Sequence, residues 1–118
     1  MIKNKITGDK GEDIVLKELL NMGYTLLERN FRKKCGEIDI IVKKDDTIAF
    51  VEVKTRINPI MGLPREAVDF KKQKKIKNTA FMYIAENEIY NYNFRFDIGE
   101  VMVLDDTVYF NYIENAFC

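Results

Sequence analysis

Histidine is absent from this 118-residue chain, and cysteine occurs only twice, at Cys35 and Cys118, far apart and outside any CxxC pair. These absences argue against a zinc site and against a disulfide framework. No apolar run is long enough to cross a bilayer, and the polar start MIKNKITGDKGED has no signal-peptide core, so a cytoplasmic protein with no membrane contact is expected. Internal repeats, low-complexity tracts and long linkers are also missing. What is present is a 47% hydrophobic composition, enough for one domain over residues 1–118 with a real core. The formal net charge is zero, which taken alone argues against a nucleic-acid partner. The charges are nevertheless segregated. Between residues 54 and 77, Lys54, Arg56, Arg65, Lys71, Lys72, Lys74, Lys75 and Lys77 meet only Glu66 and Asp69, whereas from residue 86 onward Arg95 is the one base among seven acids.

Thr7 is a candidate N-cap, and Ile14, Val15, Leu16, Leu19, Leu20 and Met22 recur at helical spacing until Gly23 supplies a stop. Residues 24–31 favour a strand, and Arg32, Lys33 and Lys34 read as a connection. A β-hairpin over 37–54 follows, then a loop marked by Asn58, Pro59, Gly62 and Pro64. Residues 66–86 alternate apolar positions with lysines and predict a basic amphipathic helix. After a polar connection over 87–93, the segments 94–98, 101–104 and 108–113 read as three short strands, the last two joined by Asp105 and Asp106. The order is helix, three strands, helix, strands, which predicts an α/β fold with a mixed sheet flanked by two main helices.

The hairpin GEIDIIVKKDDTIAFVEVKTR carries the chemistry, because Asp39, Glu52 and Lys54 interrupt otherwise apolar strands. Buried charge is costly without a partner or a metal. Alternation puts Glu52 and Lys54 on one face with Ile48 and Phe50, and Ala49, Val51 and Val53 on the other. If Asp45 and Asp46 form a two-residue loop, Lys44 faces Thr47, Asp39 falls opposite Glu52, and Glu37 falls opposite Lys54. Opposed Cβ atoms lie roughly 4.5 to 5.5 Å apart, near enough for two carboxylates to share one divalent cation. The competing reading of the same residues is a surface ion network across the hairpin.

With those residues in place, Asp39 and the Glu52-Val53-Lys54 element resemble the PD-(D/E)XK nuclease superfamily. Gly11-Glu12, Arg29-Asn30, GEIDIIV, FVEVKTR, Glu66-Ala67-Val68, Lys72-Gln73 with Lys75, and Arg95-Phe96-Asp97 together resemble the small bacterial YraN-type family of endonuclease-like proteins, similar to archaeal Holliday-junction resolvases. Met61 departs from the phenylalanine expected there. The resemblance implies a restriction-endonuclease-like fold and a magnesium-dependent nuclease, manganese serving as a substitute, that hydrolyses DNA phosphodiesters, with branched DNA as a structure-selective substrate. It implies Asp39, Glu52 and the backbone carbonyl of Val53 as metal ligands, and Lys54 beside the attacking water. Glu12 takes the place of a further acid, near a second ion or a water. Lys72, Gln73, Lys75 and Arg56, extended by Arg65, are the candidates for contacting phosphate. A resolvase-like role would favour a homodimer. The alternative is a non-catalytic nucleic-acid-binding module that keeps the nuclease fold, and a third reading is a protein-interaction domain using the acidic C-terminal third. Asp97 and Arg95 are read as structural, and Tyr90, Tyr92, Phe94 and Phe96 as core or edge packing.

Overall fold

Three hairpins and one crossover build the sheet. In the computed structural model, which describes residues 8–57 and 68–118, the order is α1 (Gly8–Asn21), β1 (Thr25–Lys33), β2 (Gly36–Lys44), β3 (Thr47–Ile57), α2 (Phe70–Asn87), β4 (Asn93–Leu104) and β5 (Thr107–Phe117). The strands form one sheet in chain order, antiparallel except for β3 and β4, which run parallel. A parallel pair needs a crossover, and α2 supplies it. The result is the α/β, restriction-endonuclease-like mixed sheet with two helices that the sequence predicts.

The β1–β2 turn falls on Lys34 and Cys35, and the other two hairpin turns fall on Asp-Asp pairs. Lys44 pairs with Thr47 around Asp45, whose φ is +55°, and Leu104 pairs with Thr107 around Asp105 and Asp106, at +47° and +69°. Aspartate tolerates this left-handed backbone better than most residues, so the turns form where the sequence offers it. Each face of the sheet is covered by one helix. Ile48, Phe50 and Ile98 pack under Ile76, Ala80 and Tyr83 of α2. Ala49, Val51, Val101, Ile40 and Val42 pack against Val15 and Leu19 of α1. The alternation along β3 is the one its sequence predicts. Phe50 also stacks on Phe94 and Phe96, with ring centroids 6.1 and 5.6 Å away, so these two aromatics belong to the core, whereas Tyr90 is exposed.

Several expected boundaries move. Arg32 and Lys33 are not a connection: they extend β1 and pair with Glu37 and Gly36. The helix expected over 66–86 begins at Phe70, because Asp69 takes the cap and accepts the backbone N–H of Lys72 at 2.8 Å, leaving Val68 buried outside the helix. Glu66, Ala67, the 58–64 loop, Arg65 and the Thr7 cap lie outside the described residues. The strands expected at 94–98 and 101–104 are one strand, β4. Gly99 and Glu100 read as a break because glycine and charge usually end strands. Here Gly99 is where α1 crosses: a Cβ at that position would lie 2.6 Å from Cγ1 of Val15.

Candidate active site

The ladder between β2 and β3 runs from Lys44 opposite Thr47 to Ile40 opposite Val51 and then stops. The next two pairs would have been Asp39 with Glu52 and Ile38 with Val53. Instead the strands part, and the Asp39 carboxylate accepts the backbone N–H of Val53 at 2.8 Å through Oδ2. In a strand the N–H and C=O of one residue point to the same side, so the Val53 carbonyl faces the same gap. The register expected from the sequence therefore holds for the inner hairpin and breaks where the acids begin. Asp39 and Glu52 remain neighbours across the opening, which is a cleft of about 170 Å³ lined by Glu37, Asp39, Glu52, Lys72 and Lys75.

Burial and like charge dominate the electrostatics. Glu52 is only 6% exposed. Burial, and next the Glu52 charge, push the Asp39 carboxyl up to about 7, with Glu12 and Glu37 adding to the rise and the Val53 N–H opposing it. Two lysines answer from the other side: Lys72 Nζ lies 2.6 Å and Lys54 Nζ 3.9 Å from Oε2 of Glu52. Burial and the neighbouring Lys72 hold the Lys54 ammonium below its ordinary value. For Lys72 burial acts downward, but the ion pair with Glu52 outweighs it and the net shift is upward. Gly36 makes this approach geometrically feasible, since a Cβ there would meet Thr79 Oγ1 at 2.8 Å and the Lys75 carbonyl at 3.2 Å, so any other residue would hold α2 away from β2.

The remaining expected residues are placed as follows. Glu12, on the first turns of α1, is close enough to act on Asp39 but gives its carboxylate to Arg29 Nε at 3.3 Å. Glu37 does not face Lys54: with the ladder broken it pairs with Arg32 at 3.0 Å across β1. Gln73 turns back, its amide donating to the Val68 carbonyl at 2.9 Å, and so braces the chain entering α2. Lys75 lines the cleft, and Arg56 is half-buried on β3, its Nε buried and without a hydrogen bond. No local pattern signals that Lys72 reaches Glu52, or that Arg29 and Arg32 are the counterions of Glu12 and Glu37. These contacts join elements far apart in the chain or separated by a turn.

A second aspartate shows what a purely structural version looks like. Asp97 is fully buried at an irregularity between β4 and β5, and its carboxylate accepts from Arg95 Nε at 3.0 Å, from Tyr112 at 2.5 Å and from the backbone N–H of Asn115 at 3.0 Å. Arg95 also donates to the Tyr24 hydroxyl. Every oxygen has a donor and the charge has a guanidinium. Asp39 has one backbone donor and faces other acids.

Two carboxylates and a backbone carbonyl are hard oxygen donors of the kind that could hold a divalent cation. Among the described residues no group of three acid or cysteine side chains converges to hold a metal ion by side chains alone. Among the described residues, no helix is long and apolar enough to cross a membrane. The sequence model of the uncharacterised protein family UPF0102 matches residues 11–101. A UPF0102 protein of Clostridium acetobutylicum is 50% identical over 116 residues, covering 97% of this chain and 95% of its own. A UPF0102 protein of Clostridioides difficile is 48% identical over 116 residues, covering 98% of this chain and all of its own. One from Clostridium botulinum is 50% identical over 119 residues.

Proposed function

Since the chain belongs to UPF0102, the YraN-type family with a PD-(D/E)XK-like fold, we propose that it is a divalent-cation-dependent nuclease acting on DNA phosphodiesters. The observation that carries this reading is the break in the β2–β3 ladder, which opens a gap between Asp39 and Glu52 and leaves Lys54 beside Glu52. Two acids side by side in a half-buried cleft destabilise the fold unless a cation joins them. A bound magnesium or manganese ion would neutralise charge developing on the phosphate and make water a better nucleophile. Asp39, Glu52 and the Val53 carbonyl would hold it. Lys54, whose pKa is held below the ordinary lysine value, would orient the attacking water as ammonium, and in its neutral amine form would take up the water's proton. Lys75, on the cleft wall, would seat the phosphate backbone without reading bases.

Incubation with branched, duplex and single-stranded DNA in magnesium or manganese tests this. Cleavage is expected from the wild type and should fall by about a thousandfold or more in Glu52→Gln and Lys54→Ala, the scale of losing a group that acts in the transition state. No cleavage of any substrate, or equal cleavage by the variants, would overturn it. DNA binding that is indifferent to Glu52 and weakens with salt would favour a binding module instead.

A further inference from the structure

Lys72 occupies the carboxylate that the proposed cation would need. Its ammonium lies 2.6 Å from Oε2 of Glu52, closer than that of Lys54 at 3.9 Å. Because Glu52 is almost wholly removed from water, this ammonium is its principal neutralising partner. The Lys72 side chain itself is 43% exposed, so its head group has open space to withdraw into. That space is a second hollow of about 320 Å³ on the same end of α2, lined by Asp69, Lys71, Lys72 and Lys75. An ammonium 2.6 Å from one oxygen of Glu52 and a divalent cation at about 2.1 Å from the same carboxylate would be held close together where water screens them poorly, so each weakens the other's hold.

We propose that Lys72 is a lock on the cation site: it caps Glu52 in the metal-free protein, yields the carboxylate to a divalent cation, and then pairs with a phosphate of nucleic acid entering beside Lys71 and Lys75. This rests on the reading of the cleft as a cation site. It assigns Lys72 two alternative partners, Glu52 and phosphate, and so couples the two ligands. Cation and nucleic acid each favour the state in which Lys72 has left Glu52, so each strengthens binding of the other by the same factor.

Calorimetric titration of manganese into the protein without nucleic acid tests the lock, using the wild type, Lys72→Met and Lys75→Met. Lys72→Met keeps the apolar stem and removes the charge, and it should bind manganese about tenfold tighter or more. Lys75→Met, which lines the same cleft without pairing to Glu52, should stay within about twofold of the wild type, as expected for a screened charge. Calcium should raise the affinity of the wild type for a labelled DNA, and Lys72→Met should lose that gain. Equal manganese affinity in the wild type and Lys72→Met, or equal tightening in Lys75→Met, overturns the lock alone. Absence of manganese binding in every variant overturns the lock together with the cation site. Tighter manganese binding in Lys72→Met, with no DNA cleavage by the wild type, overturns the nuclease reading and supports the lock.

Discussion

Replacing Asp39 with asparagine should stabilise the metal-free protein while removing its capacity for metal. The carboxyl rises from 3.8 to about 7 on folding, chiefly because it is buried and then because Glu52 is beside it. A folded pKa above the unfolded one means that the native state holds the extra proton between about pH 4 and 7, so stability falls as pH rises through that window. At pH 8 the ionised carboxylate costs at most about 4 kcal/mol relative to its protonated form, at 1.36 kcal/mol for each pKa unit. Asparagine is neutral and nearly isosteric, and its amide oxygen can still accept the Val53 N–H, losing only the charge-assisted part of that bond, about 1 kcal/mol. A net gain of about 3 kcal/mol at pH 8 corresponds to a rise in Tm on the order of 10 °C for a chain of this size. Thermal melts with EDTA at pH 4 and pH 8 measure it. The gain should appear at pH 8, be small at pH 4, and be reversed in order by magnesium, which should stabilise the wild type only. A variant no more stable than wild type at pH 8, or equally stabilised at both pH values, would refute the electrostatic account of the cleft.

Two further substitutions test the scaffold. Gly99→Ala places a methyl group within 2.6 Å of Val15 on α1, and urea denaturation should show a loss of about 1 to 3 kcal/mol, the usual cost of overpacking. Asp97→Asn removes the charge that Arg95, Tyr112 and Asn115 all serve, and denaturation at pH 7 should show a loss of about 3 kcal/mol because a largely buried guanidinium keeps only the exposed Glu114, 3.7 Å away, as its counterion. The contrast in sign between Asp97→Asn and Asp39→Asn is the sharper outcome, since both substitute asparagine for a strand aspartate that accepts a backbone N–H.

Much of the site is legible in the sequence because strands alternate and short hairpins fix their own register. Two aspartates in a row set the turn at 45 and 46, and counting back from it puts Asp39 and Glu52 together. Counting fails beyond that point. It places Glu37 against Lys54, whereas the strands have separated and Glu37 has found Arg32 on the other side. It likewise splits β4 at Gly99, because a glycine that makes room for a crossing helix carries the same local signal as one that ends a strand.

The sequence by itself determined the elements that local rules govern: the turns at paired aspartates, the faces of β3, the basic character of α2, and the acidic pair with its lysine. Tertiary structure alone decided the partners. Asp39 and Asp97 look alike in the chain, each an aspartate in an apolar strand, yet one is pushed toward neutrality by burial and by Glu52, and the other lies 3.0 Å from the Arg95 guanidinium. Lys72 is one of many lysines until α2 is laid across the sheet, when it alone among the described lysines comes within 2.6 Å of Glu52. The reason is physical: turn and strand preferences act over a few residues, whereas the energy of a buried charge depends on whichever group the fold brings within a few ångströms of it.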